Sequence, residues 1–194
     1  MKRNDIIQYN KFTTPREANL WANKYKAHFP SDSDNDTVFL EAINLYTASA
    51  YPLFNNYLRY NKPLDPDYAL YIRSMIEKIP TYNIPDNIVV YRYISKLALE
   101  EMSESHHPRK NTILKDKGFM STTLIRESVD NYQPERTRNI LLEISVPSGT
   151  KGTYIGLLKN TLSEYEIILA PNTKLRIDDK MIFNKRIWCT VCNT

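Results

Sequence analysis

A chain of 194 residues has room for one well-buried domain and little left for a second. Its 42% hydrophobic and 25% charged residues are the balance of a soluble globular protein. A net charge of +4 suits an acidic partner or a phosphate-bearing ligand but argues against nucleic acid, and no run of about 18 apolar residues exists to span a membrane.

Met1-Lys2-Arg3 is basic, but Asn4-Asp5 and Gln8 deny it the apolar core of a signal peptide. The expectation is a cytoplasmic chain, a mature or excised catalytic domain, or one exported by a route without such a signal. Thr14-Pro15-Arg16-Glu17 starts a helix with a capping box, and Trp21, Tyr25 and Phe29 repeat every four residues as one aromatic stripe. Asp32, Asp34 and Asp36 imitate a calcium loop, but Thr37 sits where the sharp-turn glycine belongs and Ile43 where the bidentate glutamate belongs. The segment therefore reads as a loop ending in a helix cap. A second helix buries Phe39, Ala42, Ile43 and Tyr46, and a short one carries Leu53, Phe54, Tyr57 and Leu58. Asp65-Pro66 caps another, whose buried stripe is expected to be Leu70, Tyr71, Met75 and Ile79, with Pro80 as its stop.

Composition changes after Pro85, and all four glycines lie beyond it. Ile88 to Ile94 is an apolar strand interrupted by Arg92, and Ser95 caps a short helix to about Ser103. Gly118 to Thr123 is a strand in which Ser121-Thr122-Thr123 follow two apolar residues. Asn139 to Val146, Tyr154-Ile155, Leu175 to Ile177 and Met181 to Val191 read as further strands. Gly156 to Ser163 reads as a mobile loop whose Leu157 and Leu158 are exposed and suit recognition of a protein substrate. The fold class is α+β: one domain over 1–194, with a helical layer (1–80) packed on a mostly antiparallel β-sandwich (81–194).

The pattern with most chemical content is Ser163-Glu164-Tyr165-Glu166 at the head of the apolar run Ile167 to Ala170. In a strand, residues i and i+2 share a face, which would set Glu164 and Glu166 side by side, roughly 7 Å apart. Paired carboxylates can divide charge stabilisation and proton handling at a glycosidic bond. Alone, the pair reads as two solvated acids. Cys189-x-x-Cys192 has metal or redox spacing, but strand residues three apart face opposite sides, and only three histidines accompany them. No metal is expected.

Taken together, an arginine in a strand, then Ser-Thr-Thr after an aromatic residue, then Glu-x-Glu resembles the mono-ADP-ribosyltransferase toxins of the Arg–Ser–Glu type. Within them it is most similar to the catalytic domains of binary actin-modifying toxins and the Rho-modifying exoenzymes. The resemblance spans about residues 37 to 180 and includes Tyr46-Thr47, Phe54-Asn55-Asn56-Tyr57-Leu58-Arg59 and Val146-Pro147-Ser148-Gly149-Thr150-Lys151-Gly152. It implies NAD+ as substrate and transfer of ADP-ribose to a protein, with release of nicotinamide. The implied catalytic residues are Arg92, Ser121, Glu164 and Glu166. Those implied to hold NAD+ are Tyr46, Asn55, Arg59, Arg92, Ser121, Tyr132 and Arg136. Glutamate rather than glutamine at 164 implies arginine as acceptor. The resemblance leaves two other outcomes, NAD+ hydrolysis and transfer to another side chain or nucleic acid, and a silent binding module as a third. The target would be a protein such as actin or a small GTPase, met by a monomer that is secreted or delivered into a target cell, with a separate delivery component. Actin-modifying members carry two consecutive arginines; here Tyr93 takes the second place.

Overall fold

The helices begin where side chains satisfy their first backbone N–H groups. In the computed structural model, which describes residues 7–32, 36–131, 138–158, 165–181 and 185–192, Thr14 caps α1 (Pro15–Lys24). Its hydroxyl accepts from the Glu17 N–H while the Glu17 carboxylate accepts from the Thr14 N–H, the expected reciprocal box. Asp36 caps α2 (Thr37–Leu45) by accepting from the Phe39 N–H at 3.0 Å, so the aspartate-rich loop ends as a helix cap. A π-helical turn, Tyr46–Ala50, joins α2 to α3 (Tyr51–Tyr60) without leaving helical space. Asp65 caps α4 (Pro66–Lys78). The stripe α4 buries is Ile72, Met75 and Ile79; Leu70, expected in it, is 55% exposed. Ile72 lies two positions after Leu70, which is about 200° round the helix, so both cannot face the core.

The strands are β1 (Ile88–Ser95), β2 (Ile113–Lys115), β3 (Met120–Thr123), β4 (Arg138–Val146), β5 (Gly152–Tyr154), β6 (Glu166–Leu169), β7 (Lys174–Met181) and β8 (Arg186–Val191). They form one sheet in the order β2-β7-β8-β4-β1-β3-β6-β5, and only β4 with β8 is parallel. Two helices interrupt them: α5 (Lys96–Ser103), capped by Ser95, and α6 (Arg126–Asn131). Neither β2 nor α6 was expected, being too short to display a period. The last two strands run longer and shorter than expected, because Asp179 to Met181 remain paired beyond a register shift between Ile177 and Asp179.

The sheet cannot be flat. β2 and β3 stand first and sixth in the strand order, which is roughly 24 Å apart at about 4.8 Å per strand. Residues 116–119 alone join them, and five steps from Lys115 to Met120 reach at most about 18 Å. The sheet therefore folds over on itself, and the expected sandwich is one continuous curled sheet. One face of all eight strands, with Trp21 of α1 and Leu99 of α5, fills the main core. The other face of β3 and β6 meets α2, α3 and α4 in a second core holding Tyr46, Phe54, Met75, Phe119 and Ile168.

On a third surface Glu143 of β4, only 3% exposed, carries a charge into the sheet. Lys11 Nζ lies 2.6 Å from its Oε1, and Arg186 binds its Oε2. Lys11 is in place because the segment before α1 pairs with β1, through Asn10 N–H to Asn87 O and Val89 N–H to Asn10 O. Burial pushes the Glu143 carboxyl up, but Lys11 and Arg186 outweigh it and hold it below the usual range. A depressed folded pKa stabilises the protein above the unfolded value, about 4.3, and that contribution fades as pH falls through the folded value. Glu143→Gln should lower unfolding free energy at pH 7 by about 3 kcal/mol, the loss expected for a broken buried pair. In urea melts repeated at falling pH, the gap from wild type should close below about pH 4.

Candidate active site

The π turn puts Tyr46 beneath the end of β3, and Asn55 and Arg59, four residues apart, share one face of α3. Their hydrogen bonds have a direction that can be read from donor chemistry. The Phe119 N–H can only donate, and does so to Asn55 Oδ1 at 2.8 Å. That fixes the amide, so Asn55 Nδ2 donates to the Tyr46 hydroxyl at 3.2 Å. Tyr46 then has one proton, and Ser121 Oγ lies 2.9 Å from it. The Tyr46 proton has two acceptors in reach, Ser121 Oγ and the Phe119 carbonyl at 3.5 Å, and either hydroxyl of the Tyr46–Ser121 pair can be the donor. Tyr46 is 1% exposed, so its contact with the site runs through Ser121. Burial, then the charge of Glu166, push the Tyr46 hydroxyl up to about 12, which keeps it a donor at neutral pH.

Glu166, 9% exposed, opens β6. It pairs with Thr123 while Ser121 pairs with Ile168, so Ser121 and Glu166 are diagonal neighbours on one face. The residue before it, Tyr165, has φ 51, a left-handed conformation that bulky residues rarely adopt. This corrects the sequence reading of an extended Glu-Tyr-Glu: the strand starts at Glu166, and strand alternation does not carry past Tyr165. Glu164 lies outside the described residues, as do Tyr132 and Arg136.

The arginines meet at a residue the sequence did not flag. Arg59 grips Asp116 in a fork, Nε to Oδ1 at 2.8 Å and Nη2 to Oδ2 at 2.7 Å. Arg92 Nη1 lies 3.9 Å from the same Oδ2 and donates to the Ser121 carbonyl at 3.3 Å. Burial pulls the Arg59 guanidinium down, but Asp116 more than restores it. β1 and β2 are fifth and first in the sheet, so only the curled sheet lets Arg92 reach Asp116. Gly118 permits the close approach: a Cβ there would stand 2.5 Å from Asn55 Oδ1 and 3.0 Å from Arg59 Nε. In the sequence, Asp116-Lys117-Gly118 looks like an ordinary turn.

Leu157 and Leu158 do not form the exposed patch expected of them. Leu158 is 5% exposed in the second core, held by a turn from its N–H to Ile155 O, and Leu157 packs half-buried on the main core. The turn folds back before the chain reaches residue 159, so apolar burial claims both side chains. A hollow of about 430 Å3 at the foot of the sheet, near Lys151 and Lys174, shares no residue with the site. Cys189 and Cys192 are free thiols, and among the described residues no group of His, Cys, Asp and Glu could hold a metal.

Arg92, Ser121, Glu166, Tyr46, Asn55, Arg59 and Asp116 thus converge, pairing two cations with one buried carboxylate and setting a hydroxyl beside another. The family model described as ADP-ribosyltransferase exoenzyme matches residues 18–187. Mono(ADP-ribosyl)transferase SpvB of Salmonella typhimurium is 27% identical over 165 residues, 72% of this chain and 26% of SpvB. NAD(+)–arginine ADP-ribosyltransferase EFV of Enterococcus faecalis is 23% identical over 145 residues, 72% of this chain and 28% of EFV. The chain thus spans about a quarter of the length of these curated relatives. The crystal structure of the ADP-ribosylating toxin BECa of a C. perfringens binary enterotoxin, solved with NADH, superposes with a TM-score of 0.75 at 18% identity, over 95% of this chain and 50% of that one.

Burial of Leu158 sets a clear expectation. Leu158→Ala should lower unfolding free energy by about 3 kcal/mol in chemical denaturation, as for other buried leucines, whereas a partner-facing leucine would leave stability unchanged.

Proposed function

This chain belongs to the ADP-ribosyltransferase exoenzyme family, and we propose that it is a mono-ADP-ribosyltransferase that moves ADP-ribose from NAD+ to an arginine of a target protein. The observation that carries the reading is Glu166, a buried carboxylate on the same sheet face as a serine held by a hydrogen bond with Tyr46. The donor set also suits the dinucleotide: Arg92 and Arg59 offer planar guanidinium donors for its phosphates, which a lysine could not match. BECa, which shares the fold, was solved with NADH.

NAD+ supplies a ribose already joined to a cationic leaving group, so positive charge grows at the ribose carbon as that bond loosens. What the protein must add is rigid positioning and a fixed negative charge. Glu166 provides the charge and can accept from a ribose hydroxyl. Ser121, polarised from behind by Tyr46, holds the Glu166 rotamer. Arg92 and Arg59 grip the phosphates, and Tyr132 with Arg136 complete the hold from the segment after α6. The bond from the ribose carbon to nicotinamide breaks, a bond from that carbon to the acceptor nitrogen forms, and Glu164 takes the proton the guanidinium loses. A carboxylate matches the guanidinium fork, and EFV, named for arginine, is among the relatives. The proposed setting is that of a toxin or effector, secreted or delivered into a target cell and acting on a protein such as actin or a small GTPase; the relatives named as toxins support the first part of it.

Incubation with labelled NAD+ and a cell lysate, followed by mass spectrometry of the labelled band, tests the reading. ADP-ribose on arginine is expected; its presence only on other side chains or nucleobases would overturn the acceptor, and release of nicotinamide with no labelled product would make the protein a hydrolase. Glu166→Gln should cut nicotinamide release by about 10²–10³ while NAD+ still binds. Glu164→Gln should abolish arginine labelling yet spare slow hydrolysis, because water needs no guanidinium fork.

A further inference from the structure

Asp116 is charged, 1% exposed, and absent from the roles assigned so far. It follows β2 directly, in the link that closes the curled sheet. Each of its oxygens is used: Oδ1 accepts from Arg59 Nε at 2.8 Å and from the Gly118 N–H at 2.9 Å, and Oδ2 accepts from Arg59 Nη2 at 2.7 Å with Arg92 Nη1 at 3.9 Å. The Gly118 bond and the short link fix the carboxylate, which in turn fixes a long side chain rooted on α3. Arg59 spends Nε and Nη2 on that fork, leaving Nη1 for a ligand.

We propose that Asp116 is a positioning residue for NAD+: an internal anion that sets Arg59, and with it Arg92, at the spacing a dinucleotide's phosphates require. The inference rests on the reading of the cleft as an NAD+ site. Two guanidiniums so close together repel, and an unheld arginine on a helix samples many rotamers. A buried carboxylate between them removes both penalties before the ligand arrives, which lowers the ordering required on binding. One carboxylate and two guanidiniums still sum to one positive charge, so the cleft continues to attract an anion. Asp116 acts through Arg59 and touches no substrate. Its loss should therefore appear in binding, while the Tyr46–Ser121–Glu166 side keeps its geometry.

Calorimetric titration of NAD+ into the purified chain, with Asp116→Asn, Arg59→Ala and the double variant, tests this. Asp116→Asn should weaken Kd by about 10- to 100-fold, the equivalent of one charged hydrogen bond. It should raise KM for NAD+ hydrolysis with kcat within about threefold, a split that general unfolding would not give. The double variant should fall well short of the product of the two single losses, because removing Arg59 leaves Asp116 little to orient. Losses that multiply, or an Asp116→Asn variant that binds like wild type, would overturn the inference alone. A wild-type chain that binds no NAD+ would remove the reading of the cleft and this inference with it. Arg59→Lys leaves the carboxylate in place and guards against a folding defect in Asp116→Asn. Lysine cannot form the fork, so its Kd should match Arg59→Ala, and wild-type affinity in Arg59→Lys would overturn the proposal.

Discussion

Four residues between β2 and β3 decide more of this molecule than any strand. Because 116–119 are too short to cross a flat sheet, the sheet must fold until its first and sixth strands lie close. Three of the four also build the site. Asp116 receives the arginines, Gly118 lets α3 approach the backbone, and the Phe119 N–H sets the Asn55 amide. The constraint that shapes the sandwich and the groups that shape the cleft are therefore the same backbone. An insertion here would relax both together.

The two sides of the site use opposite electrostatics. On one, a carboxylate is neutralised by arginine and becomes a strut. On the other, the Glu166 carboxylate shares a sheet face with Ser121, the end of a chain of neutral groups that begins at a backbone N–H and runs through Asn55 and Tyr46. The Phe119 N–H fixes the Asn55 amide and with it the Asn55–Tyr46 link, and a phenol pushed up to about 12 stays protonated at ordinary pH. Preorganised donors of this kind need no reorientation when charge develops nearby, which is where fixed dipoles are most effective.

The fold class, the helix caps and most of the strands were readable because each has a local signal: a capping box at Thr14, a β-branched run at Ile88, turn residues after Val146. Arg92, Ser121 and Glu166 were readable as a pattern, and the curled sheet brings them to one place. Asp116 was not, since its role depends on partners 57 and 24 residues away that only the tertiary fold delivers. Leu157 and Leu158 misled for the converse reason. A loop composition says nothing of whether the turn folds its leucines inward, and here the cores claim both. Leu70 failed on geometry: helical spacing allowed two stripes, and contact with α2 selected the one through Ile72.

Tyr165 departs furthest from any local expectation. A tyrosine in the left-handed region is disfavoured by roughly 1–2 kcal/mol, and such strain persists only where surrounding structure holds it. Here the hold is visible. The Tyr165 carbonyl accepts from the Leu124 N–H at 3.1 Å, the Glu166 carbonyl accepts from the Ile155 N–H at 3.1 Å, and the Tyr165 ring packs on the main core. An extended residue at 165 would have continued β6 backward and tied the preceding carboxylate to the pleat of the sheet. The left-handed turn ends the strand at Glu166 instead. The acid assigned to the ribose is thereby anchored in the ladder opposite Thr123, and the acid assigned to the acceptor belongs to the segment before it. In the function proposed above, that sets the ribose carboxylate on the rigid ladder, where positive charge develops and a fixed anion is most effective.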